Sequence, residues 1–398
     1  MGQIGYHLGW RAWRFLREQP LFCFRYRSIA TLLAKGVSLN RIAFLTDELN
    51  SLASTGECRR FVAALRARGH AVQLIHSSCS EQRERDAIHI PAKRQGRFGM
   101  DSLRLIRRCL RDFSCDQVIC QGPRSIGAGP WVSAGQAATL TAIHTSTEQL
   151  LNQFLNWSQR VTLSRFDEHL VRHSADLESL RQRFPAWNLG TLDWTRPDHL
   201  WPSSAAEIKR QLNIPANAKI VGTATDLVQH NRVKDFVWAG DLMRCIRDDV
   251  YWLVLGDGAQ QWRLRRFTRQ LDVGDNVRFL GLPENAEQIV ASLDVYVQPA
   301  TWDQACVGLA FASAHGIPRV GIIDPLHRRF IQHGRNGFLV ERGARNEISR
   351  CVNRLVNEPA IAKQFSLGTR ELADELLCEA SQLPLGDGLA ADKSRAVA

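Results

Sequence analysis

The chain has 398 residues, of which 44% are apolar and 23% charged, and its 51 Lys and Arg outweigh 40 Asp and Glu for a net charge of +11. That length allows two buried cores, and the composition excludes a disordered or collagen-like chain. The positive balance admits nucleic acid, an anionic membrane surface or phosphorylated ligands, but no zinc-finger spacing, helix-turn-helix signature or RNA-binding aromatic motif is present, so no nucleic-acid partner is expected.

The ten cysteines are scattered and form no C-x-x-C pair, which points to free thiols in a reducing compartment and to no metal site. No apolar run approaches the ~20 residues of a membrane-spanning helix. The N-terminus lacks a signal-peptide core, so a cytoplasmic location is expected.

Residues 1–40 read as an extension. Between residues 8 and 27, Trp10, Trp13, Phe15, Phe22 and Phe24 interleave with Arg11, Arg14, Arg17, Arg25 and Arg27. A basic aromatic helix of this kind can lie on an anionic membrane surface, which would place the protein peripherally on the inner membrane. The plainer alternative is a helix packed on a sheet edge with solvated arginines.

Residues 41–200 read as a first α/β domain. Its first strand and turn are RIAFLTDEL (Arg41–Leu49), followed by a helix and second strand in CRRFVAALRARGHAVQLI. Further strands are expected at Gln117–Gln121 and Thr139–His144. From Glu148 to Phe184 the pattern is helical, with a strand-like break near Val161–Leu163. A Pro- and Ser-rich connection follows.

Residues 201–378 read as a second α/β domain whose first strand starts near Lys219. Strands are expected at Tyr251–Gly258, Val277–Gly281, Val295–Gln298, Val320–Ile323 and Gly337–Val340, with amphipathic helices at Phe236–Ile246 and Glu347–Val356. Near-continuous apolar strands alternating with helices imply parallel, doubly wound sheets buried on both faces. The last helix is a candidate to cross back to the first domain, and residues 379–398 read as a disordered tail.

The stretch Val295–Ile323 is the focus: strand, turn at Pro299, then a small-residue helix stopped by Gly316 and Pro318. A strand leading through a loop into a helix offers backbone N–H groups and a positive helix end to phosphate. Gln304, Ala305, Cys306 and Val307, at the opening of this helix, are therefore candidate phosphate-binding residues.

The order RQLNIPANAKIVG, RVKDFVWAGDLM, YWLVLGDG, VRFLG, DVYVQPATWD, AHGIPRVG, HGRNGFLV and VNEPA resembles group 1, family 4 glycosyltransferases, as do GHAV at Gly69–Val72 and AIHTST at Ala142–Thr147. The resemblance implies a GT-B fold: two Rossmann-like, doubly wound parallel-sheet domains facing a cleft. It implies transfer of a sugar, with retention, from a nucleotide-sugar to a glycan or lipid-linked acceptor. No cofactor or metal is implied, because helix ends and basic side chains neutralise the leaving diphosphate.

Several positions depart from the family pattern. The first acid of the E-x7-E motif falls on Asp303 and the second on Phe311, which cannot accept a hydrogen bond. The Arg and Lys of the diphosphate clamp fall on Asp226 and Asn231, leaving Arg232 and Lys234 as candidates for a relocated clamp. The glycine pair after the first strand falls on Leu52 and Ala53, with Gly56 nearby. His144 matches the family's cleft histidine, with Thr145 and Ser146 as polar neighbours, so His144 and Asp303 are the catalytic candidates. The alternative function is a catalytically silent relative acting as a binding or partner module.

Overall fold

The computed structural model describes residues 41–47, 52–76, 87–90, 98–136, 138–144, 150, 157–171, 174–192, 194–195, 200, 204–300 and 305–378. The basic aromatic stretch 8–27, the tail 379–398, Thr145, Ser146, Asp303 and Gln304 lie outside them.

The first sheet has seven parallel strands in the order β3-β2-β1-β4-β5-β6-β7. They are β1 (Arg41–Thr46), β2 (Ala71–His76), β3 (Ala87–His89), β4 (Gln117–Gln121), β5 (Thr139–Ile143), β6 (Glu168–Val171) and β7 (Leu189–Thr191). Helices Leu52–Ala67, Met100–Phe113, Pro123–Val132, Trp157–Leu163 and Ser174–Arg183 connect them. Two apolar clusters cover the two faces: one around Ile42, Phe44 and Phe61, the other around Leu45, Ile106 and Val118. Burial on both faces explains why β1 and the middle of β4 are apolar runs rather than alternating.

The expected strand-like break at Val161–Leu163 is helical, and the strand lies instead at Glu168–Val171. Its polar half hid it. Glu168 accepts from the Thr141 hydroxyl at 3.0 Å, and His169 pairs with His144, so each polar side chain has one partner inside the fold.

The Glu168 carboxyl is pushed up to about 6, first by burial and against the Thr141 hydrogen bond. A carboxyl raised in the folded state favours folding when protonated, so this contribution is full below the unfolded value near 4.5 and is lost as pH rises through 6. Glu168→Gln is therefore expected to stabilise the protein at pH 7 to 8 by about 2 kcal/mol and to have little effect at pH 4. Urea denaturation at the two pH values checks this.

The second sheet has six parallel strands in the order β11-β10-β9-β12-β13-β14. They are β9 (Lys219–Ala224), β10 (Val250–Leu255), β11 (Val277–Gly281), β12 (Val295–Gln298), β13 (Arg319–Ile322) and β14 (Gly337–Val340). The helices in this half are Ala205–Gln211, Val233–Arg244, Gln261–Gln270, Ala286–Ala291, Ala305–Ala314, His327–Phe330, Arg345–Asn357 and Pro359–Leu376.

Arg319 is an exception among the apolar strands. It is fully buried, and its guanidinium bonds the hydroxyls of Ser313 and, at 3.1 Å, Thr369. Burial pushes it down to about 9. It joins the end of the Ala305–Ala314 helix to the Pro359–Leu376 helix.

Two features join the halves. The Leu52–Ala67 helix packs on the Ala305–Ala314 helix, and buried Arg60 lies 3.7 Å from Glu287. After Leu376 the chain pairs β15 (Leu377–Cys378) with β8 (Trp194–Thr195), at the end of the first half. Among the described residues no helix is long and apolar enough to cross a membrane.

Candidate functional site

In the second sheet the strand order reverses between β9 and β12, since β10 lies on one side of β9 and β12 on the other. Such a reversal opens a crevice at the carboxyl ends of the strands, where α/β sheets bind ligands. The Ala305–Ala314 helix starts at this crevice. Its Gly308 lies so close that a Cβ there would stand 2.3 Å from the Tyr296 phenol oxygen and 2.7 Å from the Ala224 carbonyl oxygen. Only glycine lets the first turn of the helix rest on the ends of β9 and β12.

The same ends carry buried polar atoms with no hydrogen-bond partner among the described residues: Thr223 Oγ1, Asn231 Oδ1 and Gln298 Nε2. The other end of the Gln298 amide accepts from the Tyr296 hydroxyl at 2.8 Å. On the β10 side, Gly256 has φ +130° and a Cβ would lie 2.0 Å from the Thr225 carbonyl oxygen, so the two strand exits are pressed together.

The positively charged candidates are engaged elsewhere. Arg232, with φ +52°, precedes the Val233–Arg244 helix, and its Nε donates to buried Asp235 at 2.6 Å. Arg345 donates to the other oxygen of Asp235 at 2.7 Å and lies 4.6 Å over the Trp238 ring. Lys234 sits 4.5 Å over the Phe267 ring. Asn231 holds the turn after β9, donating to Thr225 Oγ1 and the Asp226 carbonyl, each at 2.9 Å. Phe311 is buried and stacks on His315 with centroids 4.5 Å apart, so the second position of the acidic motif serves the core. Ala305 and Cys306 open the helix, and Val307 is buried one residue later.

His144 follows β5 at the carboxyl end of the first sheet and is 5% exposed. Its Nε2 lies 3.0 Å from His169 Nδ1. Burial pushes the His144 imidazole down to about 4, and burial together with His144 pushes His169 lower still, so both are neutral at pH 7. Nothing in the local sequence marked His169, which lies 25 residues away.

Asp47 sits at the corresponding reversal of the first sheet, between β1 and β4. Its carboxylate accepts from the backbone N–H groups of Arg124 and Ser125 at 2.8 and 2.6 Å and from the Ser125 hydroxyl, capping the Pro123–Val132 helix. Burial raises its carboxyl despite these bonds. Gly56, the remaining glycine of the first βα turn, lies inside the Leu52–Ala67 helix. Among the described residues no group of three or more His, Cys, Asp or Glu could hold a metal ion.

Residues 204–371 match the family model of the glycosyl transferases, group 1. Among curated proteins, the chain is 24% identical over 158 residues to the lipopolysaccharide core biosynthesis glycosyltransferase LpsE of Rhizobium meliloti, which is 40% of this chain and 45% of that one. It is also 24% identical over 166 residues to N-acetyl-alpha-D-glucosaminyl L-malate synthase of Bacillus anthracis, 42% of this chain and 43% of that one. The chain thus spans less than half the length of these relatives.

Among solved structures it is similar to sucrose-phosphate synthase from Thermosynechococcus elongatus, with a TM-score of 0.66 and 17% identity over 85% of this chain and 95% of that one. It is equally similar to Anabaena HepE in complex with UDP and glucose, at 0.65 and 18% over 86% and 96%. The fold is GT-B, with two Rossmann-like parallel-sheet domains.

Proposed function

We propose, on the match of residues 204–371 to the family model of the group 1 glycosyl transferases, that the protein transfers a sugar from a nucleotide-sugar to a glycan or lipid-linked acceptor, with retention of configuration. The observation that carries this reading is the start of the Ala305–Ala314 helix, held at the reversal of the second sheet by Gly308. A diphosphate placed there meets free backbone N–H groups and the positive end of the helix dipole, which stabilise the leaving group as charge develops on it. No metal is needed for that step. Asp303, Gln304, Ala305, Cys306 and Val307 would line the donor, and His144 would meet the sugar or acceptor from the other sheet. The name of LpsE favours an envelope-sugar acceptor, and an anionic membrane surface engaged through residues 8–27 would bring the protein to a lipid-linked one.

A specific observation favours a second reading. The clamp positions hold Asp226 and Asn231, and Arg232 is bound to Asp235. A carboxylate near a diphosphate repels it, which fits a silent relative that keeps the fold as a binding module.

Calorimetric titration with UDP-, GDP- and ADP-sugars in EDTA separates the two. The first reading expects micromolar binding of at least one donor, lost in Asp303→Ala. Silence across the panel leaves the second.

A further inference from the structure

The His144–His169 pair is more than a packed corner. The two rings are inclined by 17° with centroids 5.3 Å apart, and their nearest nitrogens, His144 Nε2 and His169 Nδ1, are 3.0 Å apart. Both residues are buried, at 5% and 0% exposure. Two neutral imidazoles at that distance share one proton: one nitrogen donates and the other is bare.

The ring of His169 is held in place. Trp187 stacks on it at 4.1 Å and 12°, and Phe184 stacks on Trp187 at 4.0 Å and 8°. Phe166 approaches the His169 ring at 5.8 Å. The backbone is fixed as well, with His169 N–H donating to Asn188 at 2.8 Å and His144 N–H to Leu170 at 2.9 Å. Apolar side chains would fill this corner without taking two imidazoles out of water.

We propose that His169 is a positioning residue for His144: hydrogen-bonded through its Nδ1 to His144 Nε2, it fixes the ring and a single tautomer of His144, and with them the state in which the other nitrogen, Nδ1, meets a hydroxyl of the sugar or the acceptor. The proposal rests on the reading of His144 as a cleft residue. Such arrangements fix both tautomer and ring direction of a working histidine.

Two substitutions separate positioning from packing. His169→Asn places a side-chain amide where Nδ1 stood and keeps a hydrogen-bonding group. His169→Phe keeps a ring on Trp187 and loses that group. Imidazole ¹⁵N spectra of labelled protein report the tautomer of His144 without requiring turnover, and sugar transfer to a glycan acceptor is measured alongside.

The expected result is a single tautomer for His144, the same in wild type and His169→Asn, and a mixture in His169→Phe. Transfer kcat should fall about tenfold or more in His169→Phe with donor KM changed less than about twofold, and His169→Asn should restore most of it. A wild-type spectrum in His169→Phe, or an Asn variant slower than the Phe variant, overturns the proposal and leaves a packing role. A tautomer that follows His169 while transfer rates stay unmoved keeps the pair but removes His144 from the cleft, which is a failure of the functional reading instead.

Discussion

Gly308→Ala is expected to destabilise the protein by about 2–4 kcal/mol and to abolish detectable donor binding. The added Cβ would stand 2.3 Å from the Tyr296 oxygen and 2.7 Å from the Ala224 carbonyl oxygen. The phenol is not a free end that can swing away. It is fully buried and bonded to Gln298 at 2.8 Å, and the Ala224 carbonyl belongs to the end of β9. The helix must therefore lift by the better part of an ångström, losing dispersion contacts along Leu309, Ala310 and Ala312, which are all buried. Lifting the first turn also moves its N–H groups away from whatever they hold. Thermal unfolding and UDP-sugar calorimetry measure the two halves of this expectation. A variant as stable as wild type would mean that the helix does not rest on β9, and a destabilised variant with unchanged donor affinity would put the donor somewhere else.

Asp226→Arg is expected to tighten UDP binding by tenfold to a hundredfold. The family resemblance puts a clamp arginine at this position, just beyond β9. At ~4 Å and an effective dielectric constant near 20, a unit charge pair is about 4 kcal/mol as an upper limit. Asp226 is half-buried, so solvent screens much of that. Replacing repulsion by attraction leaves about 1.4–2.8 kcal/mol, which is the stated range. The gain should shrink as salt rises from ~0.05 to ~0.5 M, because the Debye length falls to a few ångströms. An unchanged dissociation constant at low salt would place the phosphates away from the end of β9, against the Proposed function.

The second sheet was largely legible because its strands are apolar runs bounded by glycine, and burial on both faces demands that pattern. In the first sheet β6 was not, because Glu168 and His169 look like a helix surface until Thr141, in the neighbouring strand, and His144, just after it, are seen to partner them. The three-residue edge strands β3 and β7 are too short to carry any period.

The corner between β12 and the Ala305–Ala314 helix was readable from strand, proline and small residues in succession. The engagement of Arg232 was not. Its carboxylate partner Asp235 is three residues on, but the second arginine on that carboxylate is Arg345, 110 residues away from it. Local sequence shows which charges exist; only the closed chain shows which are already spoken for.

The short ladder between Trp194–Thr195 and Leu377–Cys378 fastens the chain after the last helix to the connection that leaves the first sheet, so that connection is held by backbone pairing as well as by its own covalent bonds. A cut in residues 196–203 would therefore not release the lobes: the far end of the chain would still pair with the stump at Thr195, and Arg60 with Glu287 would still bridge the seam.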